Sequence, residues 1–198
     1  MTRLTVDTPN GPFTLARQCD GCTLCCRVLE ATTLDKPMGV LCRHCIVGQG
    51  CGIHDARPPE CRNYHCGWLI DGSLGPEWHP ETAHIVITYD LDGRRLNAHA
   101  DPLYPDAWRT EPYFSQLKSW AAMALPRNGQ VVAYVEHHAF VILPDRAVDL
   151  GIMDDESFIF ISRNANGEWT AQRLSREEAE RITTHGGAAQ PVTGRRKA

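Results

Sequence analysis

Beyond Cys66 the sequence has no cysteine, although nine lie between Cys19 and Cys66. The rest of the chain is therefore excluded from thiolate and disulfide chemistry. No run approaches the ~18 apolar residues that a spanning helix needs, so no membrane partner is expected. Positive charge is scarce too: 20 Lys and Arg against 24 Asp and Glu leave a formal net charge of −4. A general nucleic-acid binder needs basic patches to neutralise phosphates, and the one concentrated basic stretch, Arg195-Arg196-Lys197, reads as a solvated end. Missing as well are a Gly-rich phosphate loop, a G-x-S-x-G elbow and an H-E-x-x-H helix. Met1 to Thr14 carries Asp7, Pro9, Asn10, Gly11 and Pro12 but no apolar core, so it does not read as a secretory signal. A cytoplasmic location is the expectation. There, thiols stay reduced, and clustered cysteines bind metal more often than they pair.

What the chain does have is concentrated. Cys19-x2-Cys22-x2-Cys25-Cys26 is followed by Cys42, Cys45, Cys51, Cys61 and Cys66, in a stretch rich in Gly, Pro and His. Such a segment buries little apolar surface, so a metal or crosslinks must offset the cost of ordering it. Read as a helix, Gln18 to Arg27 would place Cys19, Cys22 and Cys26 on one stripe at ~100° per residue, with Cys25 pointing away. Read as a loop, Cys-x2-Cys still lets two sulfurs reach one ion. Neighbouring side chains diverge, so Cys25 and Cys26 are not expected to share one mononuclear site. A zinc site or a four-iron cluster takes four such ligands. Nine cysteines suffice for two sites with one left over, or for one site and several bystanders. The spacing does not match a radical-SAM triplet, a bacterial ferredoxin run, a Rieske centre or a zinc deaminase. His44, His54 and His65 are spare ligand candidates, and disulfides are the bland alternative.

The run Cys19-Asp-Gly-Cys22-Thr-Leu-Cys25-Cys26 resembles the signature of the CxxCxxCC cysteine-cluster family, the YkgJ-type proteins described as zinc- or iron-chelating domains. Lys36-Pro37 and Cys42-Arg-His44-Cys45 are similar to its middle block, and Gly50-Cys51 through Arg57-Pro58, Cys61-Arg62, Tyr64, Cys66 and Trp68 to its last. The resemblance covers the first third of the chain. It implies metal binding through Cys19, Cys22, Cys25, Cys26, Cys42, Cys45, Cys51, Cys61 and Cys66, and implies no particular reaction. Arg57 and Arg62 are expected to donate to sulfur or to backbone carbonyls; Arg57-Pro58 as a plain turn is the alternative. Zinc or an iron–sulfur cluster is the expected cofactor, with iron–sulfur favoured by the excess of thiols over paired knuckles.

From His79 onward the composition is that of ordinary globular sequence. His84 to Asp90 alternates like a strand, Asp92-Gly93 signals a hairpin, and Arg94 to His99 is the return strand. Thr110 to Leu125 has helical periodicity, with Thr110 as a cap and Phe114, Leu117, Trp120, Ala121 and Ala124 on one face. Gln130 to Glu136 pairs with Ala139 to Leu143 around His137-His138, and Ser157 to Arg163 pairs with Glu168 to Arg173. Ser175-x-x-Glu178 opens a last helix as a capping box. Strands around Arg3 to Val6 and Phe13 to Ala16 are expected in the lead-in. Trp68, Trp78, Trp108 and Trp120 are expected to pack in the core.

The fold class is thus α+β: a small cysteine-rich module with short helices over 1–78, packed on an antiparallel-sheet domain over 79–184, and a disordered tail over 185–198. The expected function is metal binding through clustered thiolates. The alternatives are a metal-dependent enzyme with substrate between the two zones, and a zinc-stapled interaction adaptor. The later zone would face a protein or small-molecule partner.

Overall fold

The structure, a computed structural model, describes residues 5–8, 11–15, 17–19, 21–90 and 93–184. A hairpin of β1 (Thr5–Thr8) and β2 (Gly11–Thr14) leads into the cysteine segment. That segment holds α1 (Cys25–Val28), the two-residue strands β3 (Cys45–Ile46) and β4 (Gly50–Cys51), α2 (Pro59–Arg62) and α3 (Gly67–Ile70). After α4 (Pro80–Ala83) come β5 (Ile85–Asp90), β6 (Arg95–Ala100), α5 (Tyr113–Ala124), β7 (Gln130–Val135), β8 (His138–Ile142) and β9 (Ala147–Ile152). The chain continues through β10 (Ser157–Arg163), β11 (Trp169–Ser175) and α6 (Arg176–Thr184).

The fold is α+β, but its main sheet is mixed rather than antiparallel. It has five strands in the order β5-β6-β7-β8-β9, and β6 runs parallel to β7. The reason is the connection. A parallel pair needs a crossover, which a hairpin cannot supply, and α5 lies in the chain between these two strands. β10 and β11 form a separate antiparallel ribbon turning at Asn164 to Gly167 as expected. At the β5–β6 turn, Gly93 takes φ +82° and its N–H reaches the Asp90 carbonyl at 3.0 Å; Asp92 lies outside the described residues. So do the expected strand residues Arg3, Leu4 and Ala16, and the expected tail from His185.

Alternation along the strands gives the sheet an apolar face of Ile85, Ile87, Ala98, Ala133 and Phe140, linked by register. Its small residues leave room for Trp108, fully buried against Phe140 at 4.9 Å between ring centroids, and for Leu117 and Ala121 of α5. Pro112 rather than Thr110 precedes α5, and the Thr110 hydroxyl donates to the Ala107 carbonyl at 2.8 Å. Trp78 and Trp120 meet in the same core with their rings tilted by 34° at 4.8 Å between centroids. Ser175 and Glu178 make the reciprocal capping box at α6, with the Ser175 N–H donating to the Glu178 carboxylate at 2.8 Å.

Val86, on the opposite face of β5, joins a second apolar cluster with Leu15, Leu24, Val28, Cys66 and Leu69. Apolar packing therefore runs from the cysteine segment onto the sheet. Polar ties reinforce it. Arg27 of α1 bonds Asp101 at 2.9 Å, and Glu81 of α4 accepts from the Thr23 N–H at 2.7 Å. Arg17 lies over Trp68 and donates to the carbonyls of Trp68 and Asp71, each at 2.8 Å. At Gly67 the backbone of α3 lies close on β5: a Cβ there would lie 2.7 Å from Ile87 Cγ2. Among the described residues no helix is long and apolar enough to cross a membrane.

Candidate metal centre

Helix formation in the first motif is limited to Cys25–Val28. Ahead of it, the Cys22 N–H donates to the Cys19 carbonyl at 2.8 Å, closing a tight turn with Gly21 at φ +82°. A side chain rarely adopts that backbone, and a Cβ at Gly21 would also crowd the Gly48 carbonyl at 3.1 Å. The helical stripe of Cys19, Cys22 and Cys26 therefore does not form. Instead Cys25 stays in the electrostatic neighbourhood of Cys22 and Cys19, while Cys26 is hydrogen-bonded to Cys45.

The chain after α1 folds back on it. Ala31 and Lys36 exchange backbone hydrogen bonds, closing a loop that returns Lys36 to the end of the helix. The Lys36 ammonium, itself buried, donates to the carbonyls of Arg27, at 2.7 Å, and Leu29. The Cys42 N–H donates to the Cys26 carbonyl at 2.9 Å, and the Cys45 N–H to the Cys42 carbonyl at 3.0 Å. Across the β3–β4 ladder Cys45 lies directly opposite Cys51, which places both side chains on one face. Glu60 of α2 holds this region by accepting from the Thr33 N–H at 2.8 Å and the Thr32 hydroxyl at 3.1 Å. Cys61, the next residue, is thereby brought within electrostatic reach of Cys26, Cys42 and Cys51. Cys66, ahead of α3, is buried in the apolar cluster that also receives Cys22.

All nine cysteines are free thiols. Their environments push their acidities apart. Burial pushes the Cys22 thiol up to about 12 and the Cys45 thiol up to about 11. The hydrogen bond that Cys25 donates to Cys26, with burial added, holds Cys25 well above its ordinary value. The same bond brings Cys26 down to about 6, against its burial and with the aid of the Cys45 thiol and the Lys36 and Arg57 charges. Burial also raises Cys61 and Cys66, and it lowers Lys36 against the pull of the surrounding thiols. Cys26 is thus the thiol whose ionised form its surroundings favour, with the Cys25 and Cys45 thiols hydrogen-bonded to it.

Two buried polar groups bear on whether a thiolate-bound metal suits these residues. The Tyr64 hydroxyl is buried and has no hydrogen-bond partner among the described residues, and the Cys66, Cys25, Cys19 and Cys22 thiols act on it electrostatically. An orphaned buried hydroxyl costs about 1–3 kcal/mol, and a metal-bound thiolate is an acceptor that would relieve it. Lys36 supplies a buried positive charge to Cys26, Cys42, Cys25 and Cys61. A cation so placed suits ionised sulfur. The donor set therefore fits a thiophilic ion in kind. The sulfurs are not drawn together: among the described residues no group of three or more His, Cys, Asp or Glu side chains is gathered closely enough to hold an ion.

The expected auxiliary residues are placed as follows. Arg57 donates to the His54 carbonyl and Arg62 to the Arg57 carbonyl, each at 2.9 Å, so both brace backbone rather than sulfur. His54 pairs with Asp55, His65 with the Asn63 carbonyl and His44 with Arg43. His137 stays in the β7–β8 turn, while His138 lies in β8 and pairs with Asp149 at 2.6 Å. An open cleft of about 480 Å³ beside His138, Phe140 and Arg109 is lined only by residues between Pro105 and Ile152. Sequence reasoning gave no role to Lys36, Tyr64, Arg27, Asp101 or Glu81. The one available signal was that Lys36 and Tyr64 fall within the blocks of the family resemblance. No protein-family model matches the chain, and no curated protein or solved structure matches it.

Proposed function

We propose that the chain is a metal-binding protein whose thiolates, drawn from Cys19, Cys22, Cys25, Cys26, Cys42, Cys45, Cys51, Cys61 and Cys66, hold zinc or an iron–sulfur cluster. The cysteine segment is then a small metal-ordered module seated on the mixed sheet. The observation that carries the reading is the confinement of nine free thiols to residues 19–66, around a buried lysine and a buried unpartnered tyrosine hydroxyl. The resemblance to the CxxCxxCC family supports the same reading, as does the poverty of the segment in apolar residues of its own. Zinc would supply a rigid crosslink, and an iron–sulfur cluster an electron-accepting centre.

The chain's own residues would do the rest. Lys36 offsets thiolate charge, Tyr64 donates to sulfur, and the Arg27–Asp101 and Thr23–Glu81 ties fix the loaded segment to the sheet. The open cleft at His138 takes no residue from the cysteine segment, so it does not support the alternative of an enzyme with substrate between the two zones. Anaerobic purification with metal analysis and absorption spectra tests the reading. Stoichiometric zinc in a colourless protein, or iron with sulfur-to-iron charge-transfer bands, is expected. A metal-free protein that keeps its shape after exhaustive chelation, with its sulfurs paired, refutes it.

A further inference from the structure

We propose that the open cleft beside the β7–β8 turn binds a small zwitterion with a large apolar side chain, of the class of a free amino acid or a dipeptide. Arg109 takes its carboxylate and Glu136 its ammonium. Metal binding by the cysteine segment and binding at this cleft stand or fall separately.

The cleft, of about 480 Å³, is lined by the Pro105–Arg109 segment, by the turn and by Ile152 of β9. That volume is in the range of sites that hold small organic molecules. Arg109 is pre-organised in it. Its guanidinium lies 4.1 Å from the centroid of the buried Trp108 ring and 4.8 Å from that of Phe140, and Asp106 meets its Nε at 3.3 Å. Its two Nη groups make no hydrogen bond among the described residues. A guanidinium fixed in this way loses little freedom when those groups meet a carboxylate, whose planar geometry they match. Asp149 does not compete for them. It accepts from the His138 ring at 2.6 Å and from the Gly151 N–H at 2.8 Å, and the His138 bond holds its carboxyl below the usual carboxylate range.

Glu136 is the second anchor. It occupies the β7–β8 turn at φ +52°, a backbone conformation that favours Gly, Asn or Asp. Residues held in such conformations concentrate at binding sites. Its carboxylate lies against Gly39, where a Cβ would collide with it, and it meets no cation among the described residues. Two carboxylates and one guanidinium line the cleft, so its balance is net negative and a simple anion is disfavoured. A simple organic cation would find the Trp108 and Phe140 rings already engaged by Arg109. A zwitterion meets both unpaired groups at once. Its apolar part removes from water the side chain of Ile152, which is 59% exposed.

The test is an amide NMR titration of the full-length chain with two probes, L-phenylalanine and glycyl-L-phenylalanine, beside 3-phenylpropanoate and 2-phenylethylamine, which each lack one charge. At least one zwitterion is expected to bind in the millimolar range or tighter, with shifts centred on Arg109 and the β7–β8 turn, and the better of the two identifies the source as amino acid or peptide. Both single-charge analogues are expected to bind about tenfold more weakly, the loss of one hydrogen-bonded charge. Arg109→Gln and Glu136→Gln should each weaken the zwitterion by a similar factor, and Glu136→Gln should bind it no better than 3-phenylpropanoate. No binding of either zwitterion, an analogue that binds equally well, or folded variants that bind unchanged overturns the assignment. Should a variant fail to fold, the comparison of the four compounds on the unmodified chain still decides.

Discussion

Removing the guanidinium of Arg27 should strand a buried carboxylate. Asp101 is 2% exposed and Arg27 25% exposed, and they meet at 2.9 Å. At that distance and an effective dielectric of ~20, the attraction is about 6 kcal/mol before desolvation is subtracted. Breaking a buried pair by deleting one partner costs about 3–5 kcal/mol. Asp101 keeps one hydrogen bond, from the Leu103 N–H at 3.0 Å, and Arg27 is partly solvated, so both effects reduce the loss. Arg27→Met, which retains the apolar stem, should therefore cost about 2–4 kcal/mol. Urea unfolding of Arg27→Met, Asp101→Asn and the double variant gives the coupling directly. The double variant should be less destabilised than the sum of the two singles, by about 1.5 kcal/mol or more. A loss under about 0.5 kcal/mol for Arg27→Met would place the pair among ordinary surface ion pairs, and the proposed anchoring of α1 to the sheet would be wrong.

Other consequences can be measured in the same way. Gly67→Ala drives a methyl to 2.7 Å from Ile87 Cγ2, and overpacking of that kind should cost about 1–3 kcal/mol in a thermal or urea melt; an unchanged midpoint would show that α3 can slide off β5. Lys36→Met leaves the Arg27 and Leu29 carbonyls without their buried donor and should cost about 1–3 kcal/mol. It should also raise the pH at which the Cys26 thiolate appears by ultraviolet absorbance, whereas an unmoved titration would exclude Lys36 from the thiol electrostatics. In the metal-free reduced protein, Cys26 titrates below its ordinary 9.0, so its contribution to stability is complete above 9.0 and lost as pH falls through about 6. Cys22 and Cys45 act with the opposite sign: their contributions are complete below 9.0 and lost as pH rises through about 12 and about 11. Urea midpoints should rise from pH 6 to 9 and then decline, and Cys26→Ser should flatten the rise; a rise that persists in Cys26→Ser refutes its assignment.

The strands and helices after His79 were legible where local chemistry agrees with the fold. Period-2 alternation marks β5 and β6, Asn164 to Gly167 marks the β10–β11 turn, and Ser175 with Glu178 marks the start of α6. β9 was not legible. Ala147–Ile152 mixes Asp149 and Gly151 into a short run, and it is held by pairing with β8 through a register shift at Ala139 and Phe140. Nor was the parallel β6–β7 pairing, because strand order is a long-range choice that alternation does not encode. In the cysteine segment the residue types were readable and the grouping was not. Gly21 stops the helix that would have aligned Cys26 with Cys19 and Cys22, and the return of the chain to Lys36 carries Cys42 and Cys45 to Cys26 instead.

By itself, then, the sequence determined the α+β class and where its thiols are concentrated. All nine thiols lie within 19–66, and hydrophobic periodicity after His79 specifies strands and a helix locally. Only the tertiary structure decided which thiols become neighbours, what lowers the Cys26 thiol, and that a lysine and a tyrosine hydroxyl are buried near them. The physical reason is one of range. Turn and periodicity signals act over a few residues, whereas the burial and charge that tune a thiol come from segments tens of residues away.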